Sequence, residues 1–200
     1  MLRLLRAILF LGAILPLPLI AAPDETIIAG LYARGLAGDE QAVIDCIAAL
    51  EEVLASQPND QLARVYLGSA CTLRSRDLPF FGTAKLAALR RGIALMDEAA
   101  AAAPNDARVQ LLRAVTNEAF PALLGRRRIA RQALDDLVAA VEKDPERLKL
   151  SDRQLLYLNA GEAAQKAGDG ARAAALWKRG LNLKADRRLT EEIEKALTQL

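Results

Sequence analysis

Apolar residues recur along most of this chain at intervals of three and four, the spacing that returns side chains to one face of an α-helix. Val43, Ile47, Leu50 and Leu54 step this way, as do Leu86, Leu89, Ile93 and Met96, and again Leu134, Leu137 and Val141. No stretch alternates apolar and polar residues for long enough to make a half-buried strand. The pattern predicts an all-α protein with helices near 24–37, 40–56, 60–75, 83–102, 106–119, 126–143, 152–167, 170–183 and 187–199.

The breaks between these runs repeat. Pro58-Asn59-Asp60 and Pro104-Asn105-Asp106 are nearly identical, and Pro145-Glu146 follows at a similar interval. Proline lacks the donor a helix interior needs, so each ends a helix. The Asn or Asp that follows can accept a free amide and start the next one. Ser151 with Gln154 has the spacing of a capping box, and Gly168-Asp169 marks another short turn. The three prolines lie 46 and 41 residues apart. A period of that order points to stacked helix pairs.

The last full pair carries a resemblance. Tyr157 is followed four residues on by Gly161, then by Ala173, Trp177 and Gly180. This order of aromatic, glycine, small, bulky and small positions resembles the tetratricopeptide repeat. Ala133, Leu137, Ala140 and Pro145 fit its second helix, as do Gly92, Met96, Ala99 and Pro104, while Leu67-Gly68 fits its first. Ala185 stands where the family closes with proline, and the units run longer than the family's. The extra residues fall at 78–82 and 120–125. The resemblance implies a right-handed α-solenoid of about three to four antiparallel hairpins, with helix 187–199 as the end cap such arrays require.

The first residues read differently. Arg3 and Arg6 precede a run from Ala7 to Pro23 without a charged residue, and Ala21-Ala22 ends it. Basic, apolar and small segments in that order are those of a secretory signal peptide. We therefore expect residues 1–22 to be a signal, residues 23–200 to be the folded domain, and the protein to be periplasmic or otherwise exported, without membrane insertion once the signal is cleaved. An uncleaved anchor is the alternative. Of the 27 Lys and Arg, two lie in this segment, so the remainder balances the 25 Asp and Glu. A formally neutral domain lacks the basic footprint of a nucleic-acid binder.

The chemistry available is sparse. The chain has no His, the commonest general base and metal ligand. Two Cys cannot by themselves complete a zinc site, and no phosphate loop or nucleophile elbow is present. No enzyme, metal or cofactor is expected. Cys46 lies 12 residues before Pro58 and Cys71 lies 12 after Asn59. Antiparallel helices joined at that turn put both thiols at one height. They can bond in an oxidising compartment, or remain two buried thiols.

Arg126, Arg127 and Arg128 with Arg131 open a helix, where the macrodipole is already positive. They suit an anionic partner, or pair internally with Glu118, Asp135 or Asp136. Phe80 and Phe81 are either a wedge for a partner or a plug on the hairpin. In tetratricopeptide arrays the first helices line a concave groove that takes peptides. By that resemblance the groove includes Ser69, Thr72, Arg108, Glu118, Leu158, Glu162 and Gln165. The expected function is a non-enzymatic scaffold for a protein or peptide. A small-molecule-binding accessory protein of an envelope transport system is the alternative.

Overall fold

The computed structural model describes residues 25–79 and 82–200. Among them the chain is all-helical. The nine α-helices are α1 (Glu25–Leu36), α2 (Glu40–Ser56), α3 (Gln61–Asp77), α4 (Thr83–Ala102), α5 (Ala107–Glu118), α6 (Arg127–Lys143), α7 (Leu150–Lys166), α8 (Gly170–Leu183) and α9 (Arg187–Thr198). Short 3₁₀ turns occupy Ala122–Leu124 and Pro145–Arg147. No described helix is long and apolar enough to cross a membrane. The signal-like residues 1–22, together with Phe80 and Phe81, lie outside the described residues.

Five helices start on an aspartate. Asp39, Asp60, Asp106, Asp169 and Asp186 each accept a hydrogen bond from a backbone N–H in the first turn of α2, α3, α5, α8 and α9 respectively. Each occupies an amide that the helix cannot satisfy itself. The α7 start departs from expectation. Lys149 is its N-cap and makes no side-chain cap, so Ser151 and Gln154 form no capping box. Gln154 is fully buried and turns toward the α8–α9 connection. Its Oε1 accepts from the N–H groups of Ala185 and Asp186 at 3.0 and 2.8 Å, and its Nε2 donates to Thr190 Oγ1 at 2.9 Å.

Consecutive helices pack on one another, most extensively α3 on α4 and α7 on α8. The odd-numbered helices also touch in a row: α1 with α3, α3 with α5, α5 with α7, and α7 with α9. Small residues set the closest approaches. A Cβ built on Gly92 would lie 2.5 Å from the Gly68 carbonyl oxygen, so α3 and α4 can meet only with glycine on both sides.

The core is divided. One apolar cluster gathers Cys46, Leu50, Leu67 and Cys71 from α2 and α3. A second joins Val65, Met96, Val109 and Phe120. The largest runs from Leu111 through Leu134 and Leu156 to Trp177 and Ile193. Burial of such side chains contributes about 1.5–3 kcal/mol each and supplies the main force holding the pairs together.

Candidate functional site

The row of odd-numbered helices is where the groove was expected, and much of it is packed shut. Ser69 and Thr72 on α3, Glu118 on α5 and Leu158 on α7 are all buried. The hydroxyls of Tyr32 and Ser69 are 2.7 Å apart, and those of Ser69 and Thr116 are 2.9 Å apart. This chain of hydroxyls stitches α1, α3 and α5 together. Burial pushes the Tyr32 phenol up to about 12, so it stays protonated throughout the physiological range. Thr72 Oγ1 donates to the Ser69 carbonyl, a local bond within α3. On α7, Glu162 is half-buried beside Lys166 at 3.5 Å, and Gln165 is exposed. These four buried positions therefore do not line an open groove: Ser69 faces α1 and α5, Thr72 lies against Gly92 of α4, and Glu118 pairs with Arg131 of α6.

The arginine run divides likewise. Arg126 Nη2 donates to both Asp97 carboxylate oxygens at 2.7 Å, and its Nε donates to Asn117 Oδ1 at 3.3 Å. Arg113 joins the same carboxylate. Arg127 Nε donates to the Phe120 carbonyl at 2.7 Å, and Arg131 pairs with buried Glu118 at 3.2 Å. Arg128 alone of the run is exposed. The arginines at 126, 127 and 131 close the 120–125 connection onto α4 and α5. Of the internal partners expected, Glu118 is used, whereas Asp135 pairs with Arg172.

Cys46 and Cys71 do share one apolar cluster across α2 and α3. Both are buried, as free thiols in this structure. Burial raises both thiols, Cys46 to about 11, and neither is poised to act as a nucleophile.

One pocket, of about 320 Å³, opens between α1, the α2–α3 pair and the start of α5. Ile28, Ala29, Leu50, Val53, Leu62, Ala63 and the Tyr66 ring line it, with Glu25, Gln57, Asp60, Arg108 and Lys149 supplying the polar rim. Asp106 positions Arg108 by capping α5 with the Arg108 N–H itself. Arg108 Nη1 reaches Glu25 Oε1 at 3.3 Å and Nη2 reaches the Tyr66 hydroxyl at 3.4 Å. Its guanidinium carbon also lies 5.9 Å from the Tyr66 ring centre, within cation–π range.

The Arg108 Nε is 3.4 Å from Asp152 Oδ2 but is not aligned to donate, and it has no hydrogen-bond acceptor. Burial opposes the Arg108 charge, yet Tyr66, Asp152 and Glu25 together hold its pKa above the ordinary arginine value. Desolvation likewise raises the Tyr66 phenol. Lys149 has no ion-pair partner among the described residues, and its side chain is exposed at the rim.

No family model matches the chain, and neither does any curated protein. The site is therefore read on its own geometry. Of its members, the tetratricopeptide resemblance singled out Arg108. Glu25, Tyr66 and Lys149 were not singled out. Glu25 begins a helix and Lys149 precedes one, and neither position is marked by spacing. Among the described residues no group of three or more His, Cys, Asp or Glu is placed to hold a metal ion.

Proposed function

We propose that this chain is a non-enzymatic helical-repeat binding protein of the tetratricopeptide type, with the pocket around Arg108 as its binding site. In this reading the helix pairs stack as a right-handed solenoid of three to four hairpins, and α9 caps the end. The partner is a protein or peptide that inserts an apolar segment beside Arg108. The exported location follows from the basic, apolar and small order of residues 1–22.

One observation carries the reading: a mostly apolar cavity with a few convergent polar groups remains where α1, α3 and α5 meet. Pockets of that make-up are the usual binding sites of proteins. The test is a photo-crosslinking residue placed at Leu62 or Ala29 in intact cells. One reproducible protein adduct, lost when Arg108→Glu is added, is the expected result. Adducts that form equally from distant surface positions would overturn it.

A second reading, the binding of a small molecule, is favoured by the size of the cavity. Its volume of about 320 Å³ lies at the small end of the roughly 300–1,000 Å³ range of ligand pockets. The packing of Ser69, Thr72, Glu118 and Leu158 also removes part of the long surface that an extended peptide would need.

A further inference from the structure

We propose that the Arg108 pocket selects a small aliphatic monocarboxylate, an inference that rests on the small-molecule reading of that pocket. The walls dictate the body of the ligand. Ile28, Leu50, Val53 and Leu62 offer only apolar surface, which favours a hydrocarbon chain by about 25 cal/mol per Å² removed from water.

The rim dictates the head. Arg108 is held loosely, its bonds to Glu25 and Tyr66 measuring 3.3 and 3.4 Å, whereas charge-assisted N–H···O bonds settle at about 2.7–2.9 Å. The Glu25 side chain is 78% exposed, so water can readily take over its solvation. Glu25 is in effect an internal carboxylate standing near where a ligand's carboxylate would be received. The buried Arg108 Nε without an acceptor and the unpaired Lys149 at the same rim add two further donors.

The charge balance favours one negative charge rather than two. Four charged residues line the pocket: Glu25 and Asp60 against Arg108 and Lys149. Asp60 is engaged at the start of α3, where its Oδ1 accepts from Ala63 N–H at 2.9 Å. Once Glu25 swings into water, Arg108 and Lys149 face Asp60 and Asp152, the latter 3.4 Å from Arg108 Nε. A monoanion then restores the single negative charge that Glu25 carried there, whereas a phosphate dianion would add a second one beside Asp60 and Asp152. A cationic or neutral head would leave the Arg108 donors unanswered.

The test is an amide-resolved NMR titration of the intact mature chain with octanoate, octanol and N-acetyl-Leu-Leu carrying a free carboxyl. Octanoate is expected to shift the amides of α1, α3 and Arg108 and to bind at least tenfold more tightly than octanol. Arg108→Gln, with its native spectrum as the check on folding, should abolish that preference and leave octanol binding unchanged. Glu25→Gln should tighten octanoate several-fold by removing the internal competitor.

Equal binding of octanoate and octanol would overturn carboxylate selection while leaving the pocket a binding site. Absence of any shift in these amides with all three probes would overturn the pocket reading as well. Binding of the dipeptide acid without octanoate would overturn the aliphatic body and favour a peptide end.

Discussion

The Trp177 indole N–H donates to the Leu158 carbonyl at 3.0 Å, and the ring lies directly against the backbone of Gly161. A Cβ built on Gly161 would sit 2.3 Å from Trp177 Nε1. No real Cβ tolerates that distance, so the ring and α7 must part. Gly161→Ala is expected to destabilise the protein by about 1–3 kcal/mol through overpacking. Trp177 is the only tryptophan, so its fluorescence during urea unfolding reads the change directly. An unaltered midpoint and spectrum would remove Gly161 from this role.

Gln154 predicts a separate effect at the C-terminal end. Its side chain satisfies two backbone N–H groups and Thr190 from a fully buried position. Gln154→Leu removes this acceptor from both amides; Ala185 is exposed and Asp186 half-buried, so water takes up part of the loss and the cost stays within about 1–3 kcal/mol in all. Hydrogen exchange should therefore accelerate at Ala185 and Asp186 and through α9 before it changes in α3. Uniform acceleration over the whole chain would mean that Gln154 holds no local junction.

Asp97 links acid stability to the arginine run. Burial opposes its charge, but hydrogen bonds from Arg126 and Arg113 outweigh burial and lower its pKa below the ordinary 3.8. A group whose pKa falls on folding stabilises the native state above its unfolded value and loses that contribution as pH drops through its folded one. The pairs should thus be complete at neutral pH and lost only below the usual carboxylate range. Asp97 is more than a third exposed, and screening keeps each pair to about 1 kcal/mol or less. Asp97→Asn should lower the urea midpoint at pH 7 more than at pH 3. An equal loss at both would show that the charge contributes nothing.

The thiols give a fourth readout, one that does not rest on a change of stability. With both buried and raised by desolvation, the native protein should react with a thiol reagent at pH 8 far more slowly than the denatured protein. Two thiols should titrate on unfolding without reductant. Titration of none under those conditions would establish the Cys46–Cys71 bond that equal spacing from the Pro58 turn allowed.

Every expected helix is found within about two residues of its predicted ends, because Pro, Asp and the three-four apolar spacing act locally. The reach of side chains across helices was not legible. Arg126 finds Asp97, 29 positions earlier, and Ser69 finds Tyr32 and Thr116, pairings that depend on how each helix is rotated about its axis. Equal height could be read for Cys46 and Cys71 from residue counts, but not bonding. The pocket escaped for the same reason. Arg108 stood out by its register, whereas Glu25, Tyr66 and Lys149 come together only when α1 and the residue preceding α7 fold toward α5.

The partition of the core has a mechanical consequence. Substantial contacts join helices one or two places apart in the chain, and α5 gives Val109 and Leu112 to one cluster but Leu111 and Ala114 to another. In an assembly whose units lean only on their neighbours, small changes of angle accumulate along its length. In the proposed stacking, bending would concentrate at α5, and Arg108 sits in the first turn of that helix. A force that bends one half against the other would open or narrow the pocket without unfolding either half.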